Sequence, residues 1–252
     1  MNIKEKRALI HKKLEVMKKC YRERDVENFD LFYDAFFDRE QLPVVIGTDN
    51  GEWFRSMEHI RWLIKYDWEH WGDLAVDTWN FTIHEEENHD MVRVRGLLDF
   101  GEDRAWDIDI VMIFDRNASG YPCRLMQFKI PRNEIRPVVI LNKSFSEQEK
   151  SKKEMQDLMS FCADDGLDLM RGHLAERITK MLKEQKPYLA NLDVRRGMIY
   201  LEESNDGFCF AMTGFCVHVE FNALLPFRIV GIGQGYEVLD YEFSHPFVSN
   251  LG

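Results

Sequence analysis

A diverged internal repeat is the feature of this sequence that most limits the folds open to it. Residues 120–132 read GYPCRLMQFKIPR and residues 235–247 read GYEVLDYEFSHPF, with Gly-Tyr, Phe and Pro at the same places in both. Further back, Gly96 corresponds to Gly214 at an offset of 118, and this offset falls to 115 at the last strand. Because a nearly constant offset joins several segments, the sequence predicts a tandem duplication.

Each predicted unit begins with helices and ends with strands. Apolar residues recur at helical spacing over 3–24, 25–37 and 57–70, and after these segments the period changes to two. Strands are therefore predicted at 43–47, 75–85, 90–100, 105–115 and 121–130. Helices followed by a run of strands predict an α+β fold, with helices on one face of a curved antiparallel sheet. We expect unit one to span 1–142 and a shortened unit two to span 143–252.

Composition and charge exclude several classes of protein. The formal net charge of −11 disfavours binding to nucleic acid or to an anionic membrane, because both carry phosphate. The charged start MNIKEKRALIHKK contains no apolar run, so we expect no signal peptide, and no segment is apolar enough to span a bilayer. Five scattered cysteines without a C-x-x-C motif indicate reduced thiols in a cytoplasm and predict no metal site.

Three stretches in unit one resemble the SnoaL-like branch of the nuclear transport factor 2-like superfamily. They read FYDAFFDRE, VVIGTDNGEWF and MEHIRWLIKYDWEHWGD. The residues that carry the family pattern are Gly47, Thr48, Asp49, Glu52, Trp53, Asp67, Trp71, Gly72 and Asp73, with Phe243-Ser244-His245-Pro246 in the closing strand. The resemblance implies cone-shaped units with an interior pocket, commonly paired sheet to sheet. Family members include isomerases, dehydratases, cyclases and binding modules without catalytic activity, so the fold does not decide the function.

Alternation along the strands of unit one separates an apolar face from a mixed face. The residues expected to line an interior pocket are Phe100, Trp106, Met112 and Phe114, with Trp62 on the covering helix. Asp107 and Asp109 fall on the other face, near Arg93 and Arg95. There they form cross-strand ion pairs, or, if the faces are reversed, one of them is a general base.

In unit two the equivalent apolar face contains a single titratable group. Phe210, Met212 and Phe227 line this face, and His218 lies where unit one has Phe100. An imidazole beside an apolar pocket is a candidate acid or base, and a histidine bonded to a neighbour is the alternative. The opposite face of unit two is also apolar and needs a cover. We therefore expect the two units to lie back to back as a pseudo-dimer within one chain.

These observations predict a binding or association module without catalytic activity and with an apolar interior pocket. The alternative is an isomerase or dehydratase that acts on a hydrophobic small molecule by general acid–base catalysis, with His218, Asp107 or Asp109 as candidate catalytic residues and Tyr33 or Asp99 in reserve. No cofactor is expected. The expected partner is a hydrophobic small molecule, and the protein is expected to be a monomer, as a pseudo-dimer, or a homodimer.

Overall fold

The computed structural model describes residues 1–48, 52–71, 73–99, 105–130, 139–140, 180, 184, 189–193, 199–204, 207–218, 223–235 and 237–244. Contacts divide the chain into two compact units. One comprises Met1–Gly47 and Phe54–Pro131, and the other comprises Thr48–Trp53 and Arg132–Gly252. The boundary predicted between residues 142 and 143 lies outside the described residues and stays a prediction. No helix among the described residues is long and apolar enough to cross a bilayer.

Unit one contains three α-helices and one short 3-10 helix, all of which precede its four long strands. They are α1 (Ile3–Glu23), the 3-10 helix (Val26–Asn28), α2 (Phe29–Phe36) and α3 (Met57–His70). In α1, the Asn2 side chain accepts a hydrogen bond from the Glu5 backbone N–H, and Glu5 accepts one from the Asn2 N–H. The Ser56 side chain caps α3 in the same way, through the His59 N–H. Both helices thus start where a side chain satisfies an otherwise unpaired backbone donor.

The sheet of unit one follows the order β2-β1-β6-β5-β4-β3. Its strands are β1 (Val44–Ile46), β2 (Trp53–Phe54), β3 (Asp73–Glu85), β4 (His89–Asp99), β5 (Ala105–Asp115) and β6 (Cys123–Lys129). Strands β3 to β6 pair antiparallel, and β1 pairs parallel with β6. The predicted α+β class is confirmed, because helices precede a large antiparallel sheet as the change of period indicated.

Unit two contains a second antiparallel sheet. Its strands are β7 (Val139–Ile140), β8 (Leu189–Asp193), β9 (Ile199–Ser204), β10 (Gly207–His218), β11 (Ala223–Gln234) and β12 (Glu237–Ser244). The order is β12-β11-β10-β8, with β9 also paired to β10 and β7 to β11. Gly231 and Gly233 lie in β11. A Cβ on Gly233 would collide with the Phe208 ring and the Glu237 carbonyl, so only glycine fits there.

Strand pairing inside the two sheets follows the sequence repeat. The pair Phe81–Val94 in unit one corresponds to Ile199–Met212 in unit two at the offset of 118 for both residues. The pair Ile110–Phe128 corresponds to Ile229–Phe243, at offsets of 119 and 115. This agreement supports the tandem duplication. The duplication and the back-to-back arrangement of the units stay predictions.

A break in the pairing of β3 fixes the position of α1. The register between β3 and β4 shifts between Val76 and Phe81, which interrupts the strand pairing over residues 77–80. Arg7 donates to the carbonyls of Trp79 and Phe81, at 3.0 and 3.2 Å, and His11 Nδ1 lies 2.9 Å from the Thr78 carbonyl. Side chains four residues apart on α1 thus satisfy these carbonyls, so the helix lies along the strand in one alignment.

The helix-facing side of the unit-one sheet is the predicted apolar face. Strand pairing places Val92 opposite Met112 and Val94 opposite Ile110, and all four are buried. Rings from the helices pack over this side, including Tyr21 of α1 against Phe128 of β6, with ring centroids 6.5 Å apart. The register thus agrees with the requirement that carboxylates stay away from this core.

Candidate functional site

The residues predicted to line the pocket of unit one lie in two environments. Met112 and Phe114 are fully buried on the helix-facing side of the sheet. Trp106 shares that side but is 45% exposed near the start of β5, and Trp62 is 56% exposed on the outer surface of α3. Phe100 lies outside the described residues. The buried members are therefore candidates for contact with an enclosed ligand, whereas Trp62 and Trp106 face solvent.

In unit two the predicted apolar residues share one face of the sheet. Strand pairing puts Met212 opposite Ile229 and Phe227 opposite Gly214, with Phe210 two residues before Met212 on the same side. Phe210, Met212 and Phe227 are buried. The backbone of His218 closes β10 opposite Ala223, and its side chain lies outside the described residues. The proposed role of His218 as acid or base therefore stays a prediction.

Asp107 and Asp109 lie on the side of the sheet away from the helices. Asp109 is directly opposite Arg95, and its carboxylate lies 3.8 Å from Arg95 Nε and 4.0 Å from Lys129 Nζ. Asp107 is exposed. The cross-strand ion pairing predicted for this face is present at Asp109. Neither carboxylate lies on the helix-facing side of the sheet, and the role of either as a general base stays a prediction.

A buried pair of polar residues lies between α1 and α3. Tyr21 donates a hydrogen bond to Asp67 Oδ2 at 3.1 Å, and the two residues are only 1% and 2% exposed. Burial raises the pKa of Tyr21 well above its ordinary value, and the neighbouring Asp67 carboxylate raises it further. The phenol therefore keeps its proton at neutral pH and acts as a donor.

Aromatic side chains enclose this pair. Tyr21 contacts Phe32 of α2, Trp68 of α3 and Trp71 at the end of α3, with ring centroids 6.0 to 6.4 Å apart. Trp68 is 4% exposed, and its Nε1–H has no hydrogen-bond partner among the residues that the structure describes. Trp71 is half-buried and marks the edge of the enclosure. An unpaired buried donor beside a Tyr–Asp pair is a place where a ligand oxygen can bind.

Sequence reasoning did not single out Tyr21, although a signal for Asp67 was present. Asp67 lies on the buried stripe of α3, one turn after Leu63 and Ile64, and an acid in phase with apolar residues indicates a buried carboxylate. Tyr21 lies 46 residues earlier in the chain. Only the packing of α1 against α3 brings the two together.

A second buried polar group ties α1 to the tips of the strands. Lys6 Nζ lies 2.7 Å from Asp90 and 2.6 Å from Glu85, and Tyr121 donates to Asp90 at 2.7 Å. Lys6 and Asp90 are 1% and 0% exposed. Because its charges are buried and paired, we interpret this cluster as a structural ion pair network that holds α1 against the sheet.

The described residues contain no cluster of three or more His, Cys, Asp or Glu side chains that could hold a metal ion. Tyr33, a reserve candidate for catalysis, is buried among the Phe29 and Phe37 rings, and Asp99 is exposed at the end of β4. The arrangement around Tyr21 and Asp67 is therefore the best-formed candidate site in the described part of the chain.

No protein-family model matches the chain, and no curated protein matches it. A nuclear transport factor 2-like protein of unknown function from Pseudomonas putida is 11% identical, with a TM-score of 0.42, and the match covers 52% of this chain and 89% of that one. A protein of unknown function with a cystatin-like fold from Nostoc punctiforme is 15% identical over 53% and 96% of the two chains, with a TM-score of 0.42. A domain with a cystatin-like fold from the same organism is 9% identical over 74% and 99%, with a TM-score of 0.40. These matches are similarities to those three structures alone and say nothing about the function of this chain.

Proposed function

We propose that unit one is a non-catalytic binding module for a small, largely apolar molecule that carries a hydrogen-bond acceptor. The observation that carries this proposal is the buried Nε1–H of Trp68, for which the described part of the chain supplies no hydrogen-bond partner. A donor buried without a partner costs about 1–3 kcal/mol. A ligand carbonyl or ether oxygen at this position would recover that free energy, which gives the protein a reason to prefer such a ligand.

The surroundings favour an apolar body for this ligand. Phe32 and Phe128 are fully buried beside Tyr21, so a charged molecule would lose its hydration without gaining a counter-ion from these rings. Trp71 is the half-buried member of the group and lies 6.0 Å, centroid to centroid, from Phe128. Entry of a planar molecule by movement of the Trp71 ring is therefore part of the proposal.

The state of Tyr21 supports binding rather than turnover. Its proton is directed at Asp67, and its raised pKa makes it a poor base near neutral pH. Asp107 and Asp109 do not face this region, because their side of the sheet is opposite to the helices. We therefore assign Tyr21 and Asp67 the role of holding α1 and α3 together around the ligand.

Matched ligands test the proposal. 2-Acetylnaphthalene carries a carbonyl acceptor, and 2-ethylnaphthalene has nearly the same shape without it. We expect the ketone to bind about two- to tenfold more tightly, as one hydrogen bond of about 0.5–1.5 kcal/mol implies. Equilibrium dialysis measures both affinities. In Trp68→Phe the preference for the ketone should vanish, whereas in the control Trp106→Phe, whose indole is 45% exposed, it should remain.

Two results would end the proposal. One is the absence of binding for both naphthalenes in the unaltered protein. The other is an unchanged ketone preference in Trp68→Phe, because that variant lacks the only group to which the preference is attributed. Mass spectrometry of organic extracts from the purified protein is an independent test, because an apolar ligand that stays bound during purification should be found in the extract.

A second candidate function is an isomerase- or dehydratase-type enzyme, and the Tyr21–Asp67 pair is the observation that favours it. A phenol donor with an adjacent carboxylate can polarise a carbonyl and move a proton. The ketone probe distinguishes the two functions. In heavy water, an enzyme would exchange the acetyl methyl protons for deuterium faster than buffer does, and Tyr21→Phe would lose this exchange. The binding module leaves the methyl group unlabelled.

The cysteines favour a reducing compartment. Cys20, Cys123 and Cys209 are buried free thiols, as expected for a protein of the cytoplasm. A cytoplasmic location is accordingly part of the proposal, and fractionation of cells that express the tagged full chain tests it.

A further inference from the structure

Strand β12 of unit two has a strand partner on one edge only in the described part of the chain. It pairs with β11 and ends the strand order β12-β11-β10-β8. The backbone N–H of Tyr241, in the middle of β12, donates to the Asp240 carboxylate at 2.9 Å. Because the N–H groups of a strand point alternately to its two edges, this bond indicates that the Tyr241 N–H points away from β11. Among the described residues, this outer edge of β12 is thus open to a further strand.

The corresponding strand of unit one, β6, has strand partners on both edges. β6 and β12 are related by the offset of 115, and each has a one-residue bulge at the same place, at Arg124 and Leu239. β6 pairs with β5 on one edge and, in parallel, with β1 on the other. Residues 125–127 of β6 are fully buried, whereas residues 240–242 of β12 are half-buried. In the described chain β12 therefore lacks an equivalent of β1, and a further strand can take that place.

The side chains of β12 indicate what such a strand should carry. In unit one, the three residues of β1 lie one by one beside residues 125–127 of β6. In β12 the first and third of these positions are the acids Asp240 and Glu242, with Tyr241 between them. Adjacent residues of neighbouring strands point their side chains to the same side of the sheet. A strand in the place of β1 is therefore favoured by basic residues at its first and third positions and an apolar residue between them.

We infer that the outer edge of β12 binds an extended basic segment of a partner protein, which adds in parallel as β1 adds to β6. Backbone hydrogen bonds attract any extended chain, and Asp240 and Glu242 select Arg or Lys at alternate positions. The net charge of −11 also favours the approach of a cationic segment. A second copy of this chain fits less well, because antiparallel self-pairing of β12 brings its acids against one another. The inference concerns unit two and does not depend on the proposed ligand at Trp68 of unit one.

Three synthetic peptides test this edge in the full-length protein. Ser-Thr-Arg-Val-Arg-Thr-Ser has the expected pattern, Ser-Thr-Glu-Val-Glu-Thr-Ser reverses its charge, and the third is the arginine peptide with both arginine backbone nitrogens methylated. Fluorescence polarisation of the labelled peptides measures their affinities. The methylated peptide should bind about two- to tenfold more weakly than the first, because it has lost backbone donors, and the glutamate peptide should bind most weakly. Equal binding of the two arginine peptides would show attraction between net charges alone and would overturn the inference.

Paired variants locate the binding site for the arginine peptide. Asp240→Asn combined with Glu242→Gln removes two charges and keeps an oxygen acceptor for the Tyr241 N–H. We expect this double variant to weaken binding about two- to thirtyfold, as the loss of two solvent-accessible ion pairs implies. Glu58→Gln combined with Glu69→Gln changes the net charge equally at two exposed positions of α3 and should leave the affinity unchanged. An equal loss of affinity in both double variants would contradict a site on β12.

Hydrogen exchange tests the edge in the unaltered protein, so this part does not depend on how a variant folds. In the free protein, amides of β12 should exchange faster than those of β10, which is paired on both edges, and the arginine peptide should slow them. Slow exchange of β12 without peptide would mean that this chain itself covers the edge. Protection that rises with protein concentration would mean self-pairing of β12. Either result overturns the inference.

Discussion

Replacing Lys6 by methionine tests whether α1 is fastened to the sheet by a buried ion cluster. The substitution keeps most of the side-chain volume and removes the ammonium that lies 2.7 Å from Asp90. Asp90 is 0% exposed, so it cannot regain water when the ammonium is lost. It keeps the hydroxyl of Tyr121 at 2.7 Å and Arg116 Nε at 3.7 Å as partners.

Removing one member of a buried ion pair costs about 3–5 kcal/mol. Because Tyr121 and Arg116 still contact Asp90, we expect the lower end of this range, about 3 kcal/mol. For a chain of this length each kcal/mol lowers the melting temperature by about 2–4 °C, so a fall of roughly 10 °C should follow. Lys12→Met is the matched control, since Lys12 is exposed on the same helix, and its effect should stay within about 0.5 kcal/mol.

Urea unfolding followed by circular dichroism measures the loss, and amide hydrogen exchange in β3 and β4 shows whether it is confined to unit one. Combining Lys6→Met with Asp90→Asn should cost less than Lys6→Met alone, because no unpaired charge then stays buried. If Lys6→Met and Lys12→Met are equally stable, Lys6 is not buried against Asp90 and the reasoning is refuted.

Three further predictions concern a strand, a thiol and a carboxylate. Gly233→Ala should destabilise unit two by about 3 kcal/mol, because its added Cβ would collide with the Phe208 ring. Gly235→Ala should cost less, since its added Cβ meets open space, although the backbone φ there is 55°. Amide hydrogen exchange in β11 compares the stability of the two variants, and a larger loss in Gly235→Ala would contradict the packing. Burial raises the pKa of Cys123 to about 12, so iodoacetamide should leave this thiol unmodified in the native protein at pH 8 and alkylate it in urea. Peptide mapping by mass spectrometry measures the modification. Rapid alkylation of Cys123 in the native protein would contradict its burial. The hydrogen bond from Lys6 lowers the pKa of Glu85, so its stabilising effect is present above the ordinary carboxyl pKa and is lost as the pH falls through the lowered value. The difference in melting temperature between the unaltered protein and Glu85→Gln should therefore shrink on acidification, and a constant difference would contradict the pairing.

In unit one, local periodicity was enough to predict the three α-helices, the strands β1 and β3 to β6, and the two sides of the sheet, whereas the short strand β2 was not predicted. The alternation over β4 and β5 required Val94 and Ile110 to share a side, because a slip of one residue would have placed Asp109 in the core. The repeat likewise predicted corresponding strands in the two units, such as β4 and β10, since each copy keeps its own pattern of apolar residues.

Which charged residues are buried was decided only by tertiary packing. The first residues of the chain look like a solvated helix, yet Lys6 and Lys13 face the interior because α1 is aligned along β3 by its contacts to the broken strand. Tyr21 and Asp67 are 46 residues apart, and no local pattern couples them. Periodicity determines the side of an element on which a residue lies. The partner that it meets depends on how separate elements pack, and distances along the sequence carry no information about that.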